Sequence, residues 1–318
     1  MKILALSFGR KMRNCDILSK HALMEAQKAG AQIKFINAQD MEIGHCTGCG
    51  ACSAARERGK PIKCIIKDDY LALENEIWEA DGIILAAPVY SLAPVGQLKN
   101  FIDRFGAAHD RAALQAEQDK RRENPDAELL DPRFFTDKYV AYISVGGAET
   151  QNWVSLGLPN MHIFGMSTLM KPVGQYDAYN MGMTVHPFFD ENLMEDIGKL
   201  GKHLAESIGK PYEEVEWLGE EGACPVCHNN LITVLGKGTT IECPICGIEG
   251  QISVVEDEIK VEFSDSQKKR ARGATFEGLR EHYLEIEKMK TVAIPKMIKN
   301  KEKLDRMSEP YRLLKSTY

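Results

Sequence analysis

Residues 82–91 have the sequence GIILAAPVYS, and this stretch decides how the rest of the chain is expected to fold. Its first six residues are continuously apolar, as in a β-strand that helices cover on both faces. Such a strand lies at the centre of a parallel sheet, and Pro88 to Ser91 then follow its carboxyl end, where ligands bind. The stretch therefore predicts the central strand of an α/β sheet and one wall of a binding crevice.

Strand and helix patterns alternate on both sides of this stretch. Strands are predicted at residues 2–7, 31–37 and 139–145, and helices at 16–29, 67–80, from Pro94 onward and at 191–209. This alternation predicts a doubly wound parallel sheet with strand order 2-1-3-4-5. Residues 107–137, rich in charge, look like an insertion that is either a lid, a partner-docking arm or a solvated excursion.

The first predicted strand ends in a loop with one glycine, SFGRKMRNC, residues 7–15. A helix follows directly, so backbone N–H groups and the positive end of the helix dipole meet there and favour a phosphate. Ser7, Arg10 and Asn14 are candidate side-chain donors. A solvated basic loop is the alternative, because a lone glycine is a weak signal.

The segment from His45 to Asp69 contains four cysteines, which we call the N-terminal cysteine set: Cys46, Cys49, Cys52 and Cys64. The first three have C-x2-C-x2-C spacing, and small residues between them permit a tight wrap. Soft thiolates select iron–sulfur clusters, zinc or copper(I). Three close cysteines and one remote cysteine favour a [4Fe-4S] cluster, with a structural zinc site or metal-free thiols as alternatives.

Four further cysteines, the ribbon cysteines, form two C-P-x-C pairs separated by fifteen residues: Cys224, Cys227, Cys243 and Cys246. Each pair forms a knuckle around one side of a tetrahedral ion, which predicts a structural zinc ribbon. A rubredoxin-like iron site is the alternative. A basic helical tail follows, in which Pro295 and Pro310 are expected to break the helix.

The length of 318 residues predicts two or three units, with 44% hydrophobic and 27% charged residues typical of a globular protein. We expect a domain at 1–210, the ribbon at 211–263 and the tail at 264–318. The sequence has no run of eighteen apolar residues and no signal-peptide pattern, which predicts a cytoplasmic protein without a membrane segment. Because that compartment keeps thiols reduced, the nine cysteines are expected to be metal ligands and not to form disulfides.

The net charge of −6 argues against nucleic-acid binding, but charge is unevenly distributed. The tail from residue 264 carries 14 Lys and Arg against 8 Asp and Glu, a balance of +6, which leaves −12 for the first 263 residues. A basic tail beside an acidic body is expected to pack within the chain or against a partner subunit.

Taken together, several motifs resemble the flavodoxin-like NAD(P)H-dependent FMN reductases, and specifically their iron–sulfur flavoprotein branch. The resemblance covers about residues 1–210 and rests on the 7–15 loop, CTGCGAC, CIIKDD, ADGIILAAPVYSLAPVGQLKNFIDRFG and SVGGAET. Gly9 stands where the family usually has Pro, and Cys15 where it usually has Ser or Thr. Neither change removes the backbone N–H groups of the loop.

The resemblance implies an FMN, a [4Fe-4S] cluster on the N-terminal cysteine set, and a homo-oligomer, either a dimer or a tetramer. It places the FMN phosphate at Ser7, Arg10, Asn14 and Cys15. It places the flavin ring at Pro88, Val89, Tyr90, Ser91, Gly146 and Gly147.

The predicted function is an FMN-dependent iron–sulfur oxidoreductase that relays electrons between a ferredoxin-like or NAD(P)H donor and a small acceptor. A flavin holds one or two electrons and a cluster holds one, so the pair would convert between the two kinds of transfer. One alternative is an NAD(P)H:FMN or quinone reductase without a cluster. Another is a redox-responsive binding protein that uses the ribbon and the basic tail. No catalytic acid or base is assigned.

Overall fold

Five parallel strands form the main sheet of the computed structural model, which describes residues 1–317. They are β1 (Lys2–Ser7), β2 (Gln32–Asn37), β3 (Gly82–Tyr90), β5 (Tyr139–Val145) and β6 (Lys171–Ala178), and the short β4 (Ala93–Pro94) pairs antiparallel with the end of β3. The order is β2-β1-β3-β5-β6. The predicted 2-1-3-4-5 order is confirmed, since β4 only adds a hairpin to β3.

The central strand is buried from Gly82 to Pro88, and its side chains alternate between two cores. Ile83 and Leu85 face a core rich in aromatic rings, whereas Ile84 faces the opposite core. Helices cover both faces, as a parallel sheet requires. They are α1 (Asn14–Lys28), α3 (Tyr70–Glu79), α4 (Gly96–Ala108), α6 (Gly157–Met166) and α7 (Glu191–Ser207). Two further helices, α2 (Ala51–Glu57) and α5 (Arg111–Arg122), pack against each other, and α2 also packs against α4.

The predicted insertion at 107–137 is packed structure. Its helix α5 buries Leu114 completely, in a small core that also contains Ile62 and Leu130. Arg121 and Glu117 form a buried ion pair at 2.8 Å, and Arg121 also donates to the Lys60 carbonyl at 3.4 Å. The segment therefore braces the loop between Cys52 and Cys64, and the solvated excursion is the wrong alternative.

The ribbon forms a second, antiparallel sheet in the order β10-β9-β8-β7. Its strands are β7 (Thr233–Val234), β8 (Thr240–Glu242), β9 (Glu249–Val255) and β10 (Glu258–Glu262). The four ribbon cysteines are all buried and share a small core with Ile241, Ile248 and Phe263. This confirms a small four-cysteine module C-terminal to the parallel sheet.

The contacts divide the chain into two compact units, Met1–Leu279 and Arg280–Tyr318. The expected division into residues 1–210, 211–263 and 264–318 stays a prediction. After α8 (Asp265–Lys268) the chain forms α9 (Phe276–Lys299) and α10 (Lys301–Leu313), which confirms a helical tail that ends at Leu313. The last tail residue, Tyr318, lies outside the described residues.

The expected helix breaks in the tail were wrong. Pro295 lies inside α9 and Pro310 inside α10, and the two helices meet at Asn300 instead. Proline removes one helical hydrogen bond, but its φ near −65° is itself helical, so a helix can continue through it. Within residues 1–317, no helix has both the length and the apolar character needed to cross a membrane.

Candidate functional site

The loop between β1 and α1 is held in shape by side chains around it. Asn37 donates to the Gly9 carbonyl at 3.1 Å, and Asp16 accepts from the Met12 backbone N–H at 2.9 Å. Burial would raise the pKa of Asp16, but hydrogen bonds from Lys20, Met12 and Asn37 outweigh it and lower that pKa. The carboxylate therefore stays ionised and fixes the loop at the start of α1.

A pocket of about 220 Å³ opens between this loop and the carboxyl edge of the sheet. It brings together seven of the residues predicted to hold the flavin: Arg10, Asn14, Cys15, Pro88, Val89, Tyr90 and Gly147. Backbone N–H groups at the start of α1 and two exposed arginines, Arg10 and Arg13, suit a phosphate. The donor set therefore fits the phosphate end of FMN, and the half-exposed Tyr90 and the glycine edge fit its flat ring.

Three residues predicted to hold the flavin lie outside the pocket lining. The Ser7 side chain is buried, accepts from the Gly9 N–H at 3.3 Å and lies 3.7 Å from the Cys15 sulfur. Gly146 packs so tightly that a Cβ there would overlap the Val154 side chain. Ser91 occupies the β3–β4 turn with a φ of 51°. These positions shape the walls of the pocket in the described structure.

Sequence reasoning missed one wall of the pocket, the segment from Met181 to Met183. The Asn14 side-chain amide tethers it by donating to the Met181 carbonyl at 2.9 Å and the Gly182 carbonyl at 3.2 Å. Asn14 thus acts on the pocket through the segment that it holds. The only local signal was the glycine in YNMGM. Burial raises the pKa of Cys15 to about 12, so this thiol remains a neutral group beside the loop.

The N-terminal cysteine set lies in an open stretch before and around α2. Cys46 and Cys49 are exposed, and Cys52 and Cys64 are half-buried. Gly48 and Gly50 have positive φ values of 65° and 69°, which lets the chain turn between the cysteines as the sequence predicted. Hydrogen bonds from the Ala51 backbone N–H and from Thr47 lower the pKa of Cys49. This environment favours a thiolate, as a metal-bound cysteine requires.

A buried ion pair lies beside Cys64. Burial lowers the pKa of Arg104, but hydrogen bonds with Asp68 and Cys64 outweigh it and raise that pKa. The Arg104 guanidinium in turn holds the pKa of Asp68 below its ordinary value. Both groups are therefore charged, and a permanent positive charge lies near Cys64.

The ribbon cysteines form a closed site. The Cys224 and Cys246 sulfurs are 3.8 Å apart, and the Cys227 and Cys243 sulfurs are 3.6 Å apart. Four sulfurs about 2.3 Å from one tetrahedral ion lie about 3.8 Å from each other, so the site fits a single zinc or iron ion. Contact with Cys224 lowers the pKa of Cys243 and raises the pKa of Cys246, because four crowded thiols cannot all ionise without a cation.

The two knuckles of the ribbon have matching backbone geometry. His228 N–H donates to the Cys224 carbonyl at 2.9 Å, and Gly247 N–H donates to the Cys243 carbonyl at 2.8 Å. His228 and Gly247 both adopt positive φ, 53° and 68°. Among the described residues, only the ribbon cysteines bring three or more possible ligand atoms within 4.8 Å of one another. The N-terminal set is not closed around a single ion.

The fold and the pocket together define a flavodoxin-like oxidoreductase that uses FMN. The chain belongs to the family of NADPH-dependent FMN reductases, whose sequence model matches residues 1–175. This confirms the predicted fold, cofactor class and enzyme class. The electron donor and the acceptor are not defined by the family.

Three known proteins show how far the similarity extends. An iron–sulfur flavoprotein of Methanosarcina thermophila is 36% identical over 213 residues, which cover 65% of this chain and 95% of that protein. A flavone synthase of Aspergillus candidus is 27% identical over 303 residues, or 90% of this chain and 89% of that protein. The solved structure of a flavone reductase, 24% identical, has a TM-score of 0.83 and covers 100% of this chain and 99% of that chain. The fold similarity therefore includes the ribbon and the tail.

Proposed function

We propose that this enzyme transfers electrons between an NAD(P)H or ferredoxin-like donor and a small, flat, conjugated acceptor of the flavone type. The observation that supports the flavone class is the similarity to a flavone synthase over 90% of the chain, which extends through the ribbon and the tail. A flavone is the oxidised partner of such a reaction, and it accepts the electrons when the reaction runs toward reduction. The mouth of the pocket agrees with a flat apolar ligand. Tyr90 and Met183 line it, and their exposed fractions are 53% and 74%.

The residues of the pocket have distinct proposed roles toward FMN. Arg10 and the backbone N–H groups at the start of α1 bind its phosphate, and Asn14 positions the Met181–Met183 wall. Pro88 to Tyr90 and Gly147 flank its ring. When bound, FMN accepts electrons singly or in pairs and passes them to the acceptor.

We propose a homo-oligomer, a dimer or a tetramer, because one chain encloses so little of the site. The pocket volume of about 220 Å³ lies below the ~300–1,000 Å³ typical of sites that bury most of a ligand. Large apolar side chains are also exposed, including Trp153 at 65% and Phe189 at 89%. Such exposed apolar surface is typical of protein interfaces.

The two cysteine sets have separate proposed roles. The N-terminal set would hold a [4Fe-4S] cluster, which would supply one-electron transfer, and the ribbon would hold a structural zinc ion. None of the nine cysteines forms a disulfide in the described structure, which suits a reducing compartment such as the cytoplasm. A reductase without a cluster is the alternative for the N-terminal set.

Anaerobic purification followed by flavin, iron and zinc analysis tests the cofactor assignment. We expect one flavin, about four irons and about one zinc per chain. Cys49→Ala is expected to remove the iron and leave flavin and zinc in place. Wild-type protein that contains flavin and zinc but no iron would be the reductase without a cluster. Loss of zinc from Cys49→Ala would show that the two cysteine sets do not bind separate metals as proposed.

Gly146→Ala tests the position of the flavin. The added methyl group overlaps Val154, so the walls next to Val145 and Gly147 must move, and we expect less bound flavin and a loss of about 1–3 kcal/mol in stability. Gly96→Ala is the matched control, because nothing lies within 4 Å of its added Cβ. Equal flavin content in both variants would contradict the placement.

Anaerobic turnover with a flavone tests the acceptor. Formation of a two-electron reduced product is expected with NADH, NADPH or reduced ferredoxin as donor, and a simple quinone is the comparison acceptor. If the enzyme reduces the quinone but not the flavone, the proposed acceptor class is wrong and a quinone is the acceptor. No turnover of either acceptor by flavin-loaded protein would contradict the proposed reaction.

A further inference from the structure

One face of α4 holds the chain that leads into the N-terminal cysteine set. Gln97, Asn100 and Arg104 share that face because they are three and four residues apart. Gln97 donates to the Ala38 carbonyl at 2.7 Å, Asn100 to the Ile43 carbonyl at 3.1 Å and Arg104 to the Gly44 carbonyl at 3.0 Å. Side chains of α4 therefore bind the main-chain carbonyl groups of this segment as far as Gly44, two residues before Cys46.

Arg104 also holds the far end of the same stretch. Its guanidinium donates to both carboxylate oxygens of Asp68, at 2.5 and 2.8 Å, and the two side chains are only 1% and 8% exposed. Asp68 in turn accepts from the Gly44 N–H at 2.8 Å. Both backbone groups of Gly44 are therefore bound by this one pair, which ties the residues before Cys46 to the residues after Cys64.

The remaining nitrogen of the Arg104 guanidinium, Nε, is not used by Gly44 or Asp68. Nε is buried without a well-aligned hydrogen-bond partner in the described structure, and the sulfur of Cys64 is close enough to stabilise the guanidinium. The guanidinium carbon lies 4.1 Å from the centre of the Tyr70 ring, which fixes its plane. A buried arginine with an unpaired donor in a native fold calls for a partner, and the open cysteine stretch beside it is where one would bind.

We infer that Arg104 is the positioning residue of the N-terminal cysteine set: it aligns Cys64 as the fourth ligand and places a fixed positive charge against the bound cluster. This inference rests on the proposed cluster. Hydrogen bonds and net charge around the sulfurs set the reduction potential of such clusters. A nearby positive charge favours the reduced, more negative form, so its loss shifts the midpoint potential to more negative values.

α4 also connects the two redox sites that we propose. It begins at Gly96, directly after the β3–β4 hairpin that flanks the pocket, and reaches Arg104 eight residues later. At 1.5 Å per residue that separation is about 12 Å along the axis. The same rigid helix therefore spaces the flavin loop from Cys64, and Arg104 is its contact with the cysteine stretch.

The test compares Arg104→Met, which removes the charge and keeps the apolar stem, with Arg104→Lys, which keeps the charge and loses the planar fork. Lys99→Met is the control, since it removes a positive charge from the exposed side of the same helix. Iron, sulfide, flavin and zinc contents are measured with a redox titration followed by electron paramagnetic resonance. We expect Arg104→Met to lose iron or to retain it at a more negative midpoint potential, with flavin and zinc unchanged.

Arg104→Lys is expected to lose part of its iron and to keep a midpoint potential closer to that of the wild type. Full iron content and an unchanged potential in Arg104→Met would overturn the inference. If the wild-type protein holds no iron, the cluster proposal fails by itself. The positioning role is then decided by hydrogen exchange of residues 38–68, which should be roughly tenfold faster or more in Arg104→Met than in Lys99→Met. Equal exchange in the two variants would overturn it as well.

Discussion

The two cysteine sets of this protein differ in how far the fold encloses them. The ribbon cysteines are buried, 3.6–3.8 Å apart in cross-pairs, and surrounded by their own small core. Cys46 and Cys49 are exposed, and the N-terminal set is held from one side through Arg104 and Asp68. A closed set suits a structural ion, whereas an open set suits a centre that exchanges electrons with something outside the chain.

How far each cysteine set is enclosed depends on the size of the folded structure around it. The ribbon has short strands and few apolar residues, so the metal itself must supply much of its stability. The N-terminal set lies on a large α/β domain that folds around two extensive cores. It can remain open because those cores, and not a bound metal, bury most of the apolar surface of the domain.

Removing the ribbon metal is expected to have the largest effect. Cys243→Ser deletes one of four thiolates, and apparent binding free energies of structural zinc sites are on the order of 10 kcal/mol. We expect loss of the bound metal and loss of hydrogen-exchange protection across residues 222–263.

Cys49→Ser is the matched control for this experiment, because it should leave the ribbon metal and the ribbon protection intact. Protection of residues 222–263 that persists in metal-free Cys243→Ser would mean that the ribbon folds without its ion. The contrast between the two sets would then disappear.

A pH dependence is expected beneath the N-terminal set, at Glu74. Burial raises the pKa of Glu74 to about 7 from an ordinary value of 4.5, despite nearby Tyr70 and Arg104. His109 lies 3.5 Å away, but burial lowers its pKa to about 4, so it is neutral and gives little help. The stabilisation from protonated Glu74 is complete below pH 4.5 and is lost as the pH rises through 7, by roughly 1–3 kcal/mol.

Chemical denaturation between pH 5 and 8 checks this expectation, with Glu74→Gln as the test variant. The neutral amide should flatten the profile of the N-terminal domain and leave ribbon unfolding unchanged. Glu76→Gln on the same helix is the control, because Glu76 pairs with Lys34 at the surface. If the stability of the wild-type N-terminal domain does not change between pH 5 and 8, Glu74 does not have the raised pKa.

The smallest effects are expected at the glycines that turn the chain in each set. Alanine in the left-handed region costs about 1 kcal/mol, a factor of about five in metal binding. Gly247→Ala should cost more than Gly50→Ala, because its added Cβ would lie 3.1 Å from Arg272, whereas nothing lies within 4 Å of Gly50. Competition with a chelator measures the ribbon, and iron retention measures the N-terminal set. A larger loss of metal in Gly50→Ala than in Gly247→Ala would contradict the conclusion that the ribbon encloses its metal more tightly than the N-terminal set does.

Local patterns were sufficient to predict the parallel sheet and the ribbon. The apolar run at residues 82–87 had to be buried on both faces, and two C-P-x-C pairs had to converge on one ion because each knuckle supplies half of a tetrahedral shell. The loop before α1 was also predictable, since a strand followed by a helix places N–H groups at one point. Seven of the ten residues predicted to hold the flavin line the pocket: three lie in that loop or at the start of α1, and four at the carboxyl ends of β3 and β5, which meet at the same edge of a parallel sheet.

Only the tertiary structure decided which residues complete each site. Met181 to Met183 reach the pocket from far along the chain, and Ser7 and Gly146 turn inward, because packing between distant segments determines where a loop residue points. Arg104 looked like any helical arginine in the sequence. Its role depends on Gly44 and Asp68 arriving at the same side of α4, and a contact between residues 36 and 60 positions apart leaves no periodic trace in the sequence.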